Sequence, residues 1–463
     1  MRLPEPISQT GYFWLPGKKR RKLPGTLSVD QYASSRIELQ GAFDGMATDP
    51  GEIEAAIHGV LQDGKWVTAT HCYLATTNYR LPGIHRTSFR PDRVFIGALQ
   101  GERQLSKCTR VDFAVDGLDA WLNLRGISAE ADVVDSKMVG ATVRYRIPES
   151  PSYPIKDRFR LSIKFESKIP VGASLTEATI TQTAFFSLTS DAPKPLAEFL
   201  KAVHQINTFL CFTIDEIVTL TMLRIVQTQD AKKTGGSPRT RMVDVVYQSL
   251  PHSDRQPRVE HHRLMLPYFE ISTYLGDMIS KWFGMHADLR SAINLYIGAT
   301  TGRHAYVETR FLFLIQALET FHRRTSDATE MDPELFSTIR DKLLHVCPAD
   351  KQSWLKSRLE YANELSLRKR LKALIGKFVH LLGDKKTVDD FVQHVISTRN
   401  YLTHYDKKSL HSSVSGEALL RLAIRIEGLM TVLLLDRLGF SVAAIEKLNK
   451  GDSKLKHKLE GMF

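Results

Sequence analysis

The segment Ser397-Thr398-Arg399-Asn400-Tyr401-Leu402-Thr403-His404-Tyr405 gathers a guanidinium, a carboxamide and an imidazole in the pattern Arg-Asn-x-x-x-His. These are the residue types that metal-independent cleavage of an RNA phosphodiester needs. RNA carries its own nucleophile, the ribose 2′-hydroxyl, so no metal-activated water is required. An imidazole gives and takes protons near neutral pH. A guanidinium stays charged and forks onto phosphate oxygens, stabilising charge that builds in the transition state. Asn400 can position phosphate or hold the helix end, and Tyr401 and Tyr405 can stack on bases or pack. The candidate catalytic residues are therefore Arg399, His404 and Asn400. No cofactor or metal is expected.

The spacing sets a geometric condition. Five residues of α-helix turn through about 500°, so the two side chains point about 140° apart. They can meet one substrate if the helix end distorts, or if another helix or subunit supplies the opposite wall of a cleft. Spacing alone is weakly specific, since roughly one Arg-x4-His match is expected by chance in a chain with 16 histidines. Two others occur. Arg80-Leu81-Pro82-Gly83-Ile84-His85 lies in a Pro-Gly turn, unsuited to a helical site. Arg340-Asp341-Lys342-Leu343-Leu344-His345 is helical, but its Leu343-Leu344 pair reads as core, with Arg340 a surface charge.

The elements that must position the motif lie in the C-terminal half. From about residue 265 the pattern is almost entirely helical, a bundle of five to seven helices. Tyr306 to Arg324 puts Phe311, Leu314, Ile315, Leu318 and Phe321 on one face. Ser353 to Leu382 holds one or two helices broken near Gly376. Thr387 is the expected N-cap of the motif helix, Val388 to Tyr401, and Gly439 is the expected stop after Gly416 to Leu438. The first half reads as β-rich. Phe159, Leu161, Ile163 and Phe165 alternate with polar residues, the period of a half-buried strand. Gly11 to Pro16, Lys65 to Thr70 and Thr179 to Leu188 are further strands, so a sandwich or barrel is expected. Between the halves, Leu196 to about Gln227 has helical spacing. A polar stretch at 230–238, a strand from Met242 to Tyr247 and a Pro-containing segment at 251–258 follow. The fold class is α+β, with a β-rich domain at 1–190, a helix and linker region at 191–264 and a helical domain at 265–463.

Bulk properties narrow the partners. The 463 residues carry a net charge of +12, which favours a polyanion. The cysteines Cys72, Cys108, Cys211 and Cys347 are scattered, with no CxxC pair, as in a reducing compartment. No signal peptide is evident, and the longest apolar run near the C-terminus, Gly428 to Leu435, is too short for a membrane span. A cytoplasmic protein without membrane contact is expected. The runs Lys18 to Lys22 and Leu367-Arg368-Lys369-Arg370 read as solvated basic surface. Glu319 and His322 read as an interhelical or surface pair, and His261-His262 lacks neighbouring ligands.

Several segments together resemble one family. Gly-Tyr-Phe-Trp-Leu-Pro at 11–16, followed by Leu23-Pro24-Gly25-Thr26-Leu27, resembles the N-terminal domain of ApeA antiphage proteins. Phe311 to Arg324 (FLFLIQALETFHRR), Asn363 to Leu371 (NELSLRKRL) and Thr398 to Tyr405 (TRNYLTHY) resemble the ApeA-type HEPN domain, in the same order. The resemblance implies a helical HEPN ribonuclease, dimeric through that domain and independent of metal, with Arg399 and His404 as the catalytic pair and Asn400 beside them. It also implies abortive defence against phage, with the N-terminal domain sensing a phage-derived trigger. Transfer RNA is the first expected target. The alternative is a non-catalytic HEPN-type module that binds RNA or a partner. A third reading makes the β-rich half a ligand- or carbohydrate-binding domain and the helices only a dimerisation device.

Overall fold

The computed structural model describes all residues except 44–52, 79–81, 99–106, 171, 173–175, 230–238, 261–262, 301–305, 406 and 463. The polar stretch at 230–238, His261-His262 and the Arg80-Leu81 part of one Arg-x4-His match lie outside the described residues. The chain divides between Phe283 and Gly284 into two compact units.

The first unit is built on strands β1 (Ile7–Trp14), β2 (Leu23–Val29), β3 (Ser35–Gln40), β4 (Ile53–Leu61), β5 (Trp66–Asn78), β6 (Arg86–Ile96) and β7 (Lys107–Val115). After the short helix α1 (Leu118–Leu122) come β8 (Ile127–Val134), β9 (Lys137–Tyr145), β10 (Ser152–Ile155), β11 (Phe159–Lys168) and β12 (Thr181–Pro195). The long helix α2 (Leu196–Ile214) is followed by β13 (Leu220–Gln229) and β14 (Arg239–Val246). Strands β6-β3-β2-β1-β4-β5 are hydrogen-bonded in that order, and β5 pairs with β6, which closes a six-stranded barrel. Beyond the residues that pair with β3, β6 pairs with β14 through Val94, Phe95 and Ile96, and an open sheet continues β14-β13-β7-β12-β11-β10. The expected sandwich or barrel is thus a barrel that shares one strand with a sheet.

Alternation explains the barrel core. Leu27 and Val29 of β2, Ile37 and Leu39 of β3, Val67 and Ala69 of β5, and Phe89 of β6 are all buried. Closure also needs a close approach: Phe13 of β1 lies opposite Gly59 of β4, where a Cβ would sit 2.6 Å from the Phe13 ring. The basic turn after β1 is exposed, and two of its cations rest on aromatic faces. Lys22 lies over Trp14 and Lys19 over Trp66, each 5.3 Å from the ring centre.

The open sheet is covered by α2. Of the apolar residues whose spacing predicts this helix, Leu200 is half-buried and Leu196, Phe199, Val203, Ile206 and Leu210 are buried. Each such side chain contributes about 1.5–3 kcal/mol of apolar burial. The helix stops at Ile214, not near Gln227. Asp215 takes the left-handed conformation at φ 62°, and the apolar run that follows becomes β13. The stretch 191–264 therefore supplies a helix and two sheet strands to the first unit. In β11, Phe159, Leu161 and Ile163 are buried as the alternation requires, while Phe165 is half-buried.

The β8–β9 ribbon stands apart. It is its own two-stranded sheet, turned by Asp135 and Ser136 at φ 48° and 63°, and it leaves Val133, Val134, Met138 and Val139 exposed. A two-stranded ribbon without a packed face is marginally stable in water. Trypsin is expected to cleave after Lys137 at least ~10-fold faster than after any lysine or arginine within the barrel strands. A mass-spectrometric time course reads this; equal rates would show that the ribbon is as protected as the barrel.

The helices from Leu275 onward are α3 (Leu275–Asp288), α4 (Arg290–Thr300), α5 (Val307–Thr325), α6 (Pro333–Val346), α7 (Gln352–Leu359), α8 (Leu367–Gly376), α9 (Lys385–His404), α10 (Gly416–Leu438), α11 (Val442–Leu448) and α12 (Lys454–Glu460). Among the described residues that is ten of seven residues or more, against five to seven expected, because short breaks divide patterns that read as continuous. In the second unit α10 is central. From Leu419 to Leu438 it is buried nearly all round, and it ends at Gly439 in the left-handed conformation, as its sequence predicts. The buried face of α5 carries the five predicted residues. By contrast, α6 has no buried residue and leaves Leu335, Ile339, Leu343 and Val346 exposed. The expected core role of Leu343-Leu344 is therefore not met.

Candidate active site

Helix α9 carries the motif at its C-terminal end. Its cap is Asp384, whose side chain accepts from the Thr387 amide at 2.8 Å, so the helix starts one turn before the Thr387 start expected from sequence. Val388, Phe391, Val392 and Val395 anchor one face in the core. Thr398 is buried, and its Oγ1 accepts from the Val414 amide at 3.1 Å, pinning the returning chain to the helix. Ser397 Oγ accepts from Gln393 Nε2 at 2.9 Å, and Gln393 in turn accepts from Arg368.

Arg399 is half-buried. Its Nη2 lies 3.7 Å from Glu319 Oε1 on α5, and its Nη1 donates to Asn400 Oδ1 at 3.4 Å. Both contacts are long, so the guanidinium is aimed rather than saturated. His404 is the last helical residue. It is exposed, and its ring has no hydrogen-bond partner among the described residues. Tyr405 then caps the helix in the left-handed conformation at φ 51°, and its ring meets Tyr401 edge-on at 5.6 Å. The helix is unbroken from Lys385 to His404, so end distortion does not bring Arg399 and His404 together. The structure leaves the second route, in which an opposite wall completes the cleft.

Beside this end lies a network the sequence did not reveal. Arg370 was read as part of a solvated basic face, but it is buried. It donates to Glu364 Oε2 at 2.9 Å and to His322 Nδ1 at 3.4 Å. Because a guanidinium can only donate, His322 Nδ1 is the acceptor and its proton sits on Nε2. Burial, then Arg370 and Arg323, hold the His322 pKa below its usual value. Glu364 also binds Arg323 at 2.6 Å. Glu319 and His322 thus both reach other helices, Glu319 to α9 and His322 to α8. The sequence signal was Arg370 falling in step with Leu371 and Leu374 on one face.

A second buried cluster joins α5, α10 and α12. Glu427 is buried, with Arg310 Nη2 at 2.5 Å from Oε2 and Lys458 Nζ at 2.7 Å from Oε1. A lone carboxylate just before the apolar run Gly428 to Leu435 could have flagged it.

The other helical match, Arg340 and His345, sits on the uncovered α6, with Arg340 bonded to its neighbour Asp341 at 3.0 Å. Among the described residues no three His, Cys, Asp or Glu side chains gather as a metal site, and no helix is long and apolar enough to cross a membrane.

A β-barrel unit followed by a helical bundle bearing Arg-Asn-x-x-x-His defines a two-part protein. The family described as ApeA N-terminal domain 1 matches residues 8–282, and the Apea-like HEPN family matches residues 312–443. The chain belongs to the ApeA family, with its HEPN domain at the C-terminus. A HEPN domain points to ribonuclease or other RNA-related activity in defence, and such domains commonly bind RNA and dimerise. No curated protein and no solved structure matches the chain.

Proposed function

We propose that this protein is a metal-independent endoribonuclease of abortive antiphage defence, acting in the cytoplasm as a dimer through its helical unit. Arg399 and His404 are its catalytic residues, and Asn400 helps to place the phosphate. The observation that carries this reading is the unbroken end of α9, which presents a half-buried, Glu319-aimed guanidinium and an exposed imidazole with no partner among the described residues. Two such ends facing one cleft would supply two imidazoles. One takes the proton of the 2′-hydroxyl as its oxygen attacks phosphorus, and the other protonates the departing 5′-oxygen. Arg399 neutralises charge on the equatorial oxygens. The products are a 2′,3′-cyclic phosphate and a 5′-hydroxyl. Transfer RNA is the first substrate to test, and the β-rich unit is the part we assign to sensing a phage-derived trigger.

The test is incubation of the full chain with total transfer RNA in EDTA and in magnesium, with end-group analysis of the fragments. Equal cleavage in both, with cyclic phosphate ends, is expected. Cleavage only with magnesium, or 5′-phosphate ends, would reject the mechanism. Salt-dependent binding without products would instead assign a non-catalytic RNA-binding module.

A further inference from the structure

In the first unit a cleft of about 520 Å³ lies between the β10–β11 turn and the first turns of α2. It is lined on one side by Asp157, Arg158 and Phe159. On the other it is lined by Lys194 and by the helical stripe Glu198, Lys201, Ala202 and Gln205, with Phe283 adjoining.

Three features mark it as built to hold something. Gln205 is only 7% exposed, yet its side-chain amide has no hydrogen-bond partner among the described residues. Its polar atoms are not among the sealed, unsatisfied ones, so they stay open at the cleft they line, where a ligand can bond them. Next, Arg158 and Lys201 have no ion-pair partner among the described residues, while Lys194 is shared between Glu198 at 3.1 Å and the Phe159 ring at 5.0 Å. Finally, Asp157 and Arg158 are consecutive non-glycine residues in the left-handed region, at φ 64° and 57°. Such backbone is sparsely populated and clusters at ligand sites. The turn is held by the Lys156 amide donating to Ser280 Oγ at 3.0 Å.

The volume falls within the range of small-molecule sites, on the order of 300–1,000 Å³. Arg158, Lys194 and Lys201 outnumber the lining carboxylates of Asp157 and Glu198, which suits an anion, a carboxamide suits a polar planar edge, and buried Phe159 and Phe283 suit an aromatic ring. We infer that this cleft binds a mononucleotide, with its phosphate on Arg158 and Lys201 and its base against Gln205 and the aromatic side chains. The inference does not depend on whether the helical unit cuts RNA.

Equilibrium dialysis of the full chain against AMP, GMP, CMP, UMP and inorganic phosphate tests it. At least one nucleotide is expected to bind saturably. The exposed pair Arg158→Ala/Lys201→Ala should weaken that binding ~10-fold or more, since charge-assisted contacts are lost without touching the core. Gln205→Met should weaken nucleotide binding and leave phosphate binding unchanged. Saturable binding of none of the five, or equal binding by the double variant, would overturn the site. Phosphate binding as tight as that of every nucleotide would overturn the base-binding half.

Discussion

RNA cleavage is expected to fall by ~10²–10⁴-fold in His404→Ala, with loss of toxicity when the protein is expressed in cells. The argument rests on the position of His404. It ends a regular helix, exposed and without a protein partner among the described residues, so it holds nothing together. Its replacement should leave the melting temperature nearly unchanged, as for most surface sites. Arg399→Ala should cost ~10²–10³-fold, because a fixed positive charge beside the phosphate is lost. Arg399→Lys should not rescue it, since an ammonium cannot fork onto two oxygens. Asn400→Ala should cost less than either, as its contact to Arg399 is 3.4 Å long. Single-turnover cleavage and thermal melts on the same samples separate chemistry from folding. Full activity in the double variant Arg399→Ala/His404→Ala would remove α9 from the mechanism altogether.

The largest stability effect is expected at Glu427. Burial alone would raise its pKa, but Lys458 and then Arg310 more than reverse this and hold it at about 2. Glu427→Gln leaves two cations facing a neutral amide in a buried site. Breaking such a pair costs about 3–5 kcal/mol. For a unit of this size that is a drop on the order of 10 °C in its melting transition. Three helices meet at this carboxylate, and α12 comes so close to α10 that a Cβ on Gly428 would lie 3.0 Å from the Leu459 amide. The helical unit should therefore lose the docking of its last helix first. The sign with pH follows from the depressed value. The stability from Glu427 is complete above its ordinary pKa of 4.5 and drains as pH falls toward about 2. His322, held neutral by burial and two arginines, adds to acid sensitivity, since protonating it in place is unfavourable. The gap between denaturant melts of wild type and Glu427→Gln should be clearly smaller at pH 3 than at pH 7. A constant gap would contradict the assignment.

What the sequence disclosed was local. The β11 alternation, the α2 stripe and the Gly439 stop each depend on neighbours a few residues away, and each stands in the structure. Barrel closure depends on β5 pairing with β6 and on β4 returning to β1, contacts that no short-range period encodes. The overrun of α2 has the same origin. Ile217 to Val226 is apolar and fits either period, and one left-handed Asp215 decides it. At the candidate site, residue types and spacing nominated Arg399, Asn400 and His404, and the capped, continuous helix sets where the three lie. Arg370 was misread because a basic run looks solvated until Glu364, six residues back, and His322, from a distant helix, converge on it. Leu343-Leu344 was misread the opposite way, because apolar residues on α6 face solvent.

Strand β6 belongs to the barrel and to the open sheet at once, bonded to β3, β5 and β14 along its length. Losing the order of β6 itself would therefore break ladder hydrogen bonds in both halves at once. A perturbation on the sheet side, such as a ligand settling beside α2, is mechanically connected to the barrel wall through a single rod of backbone.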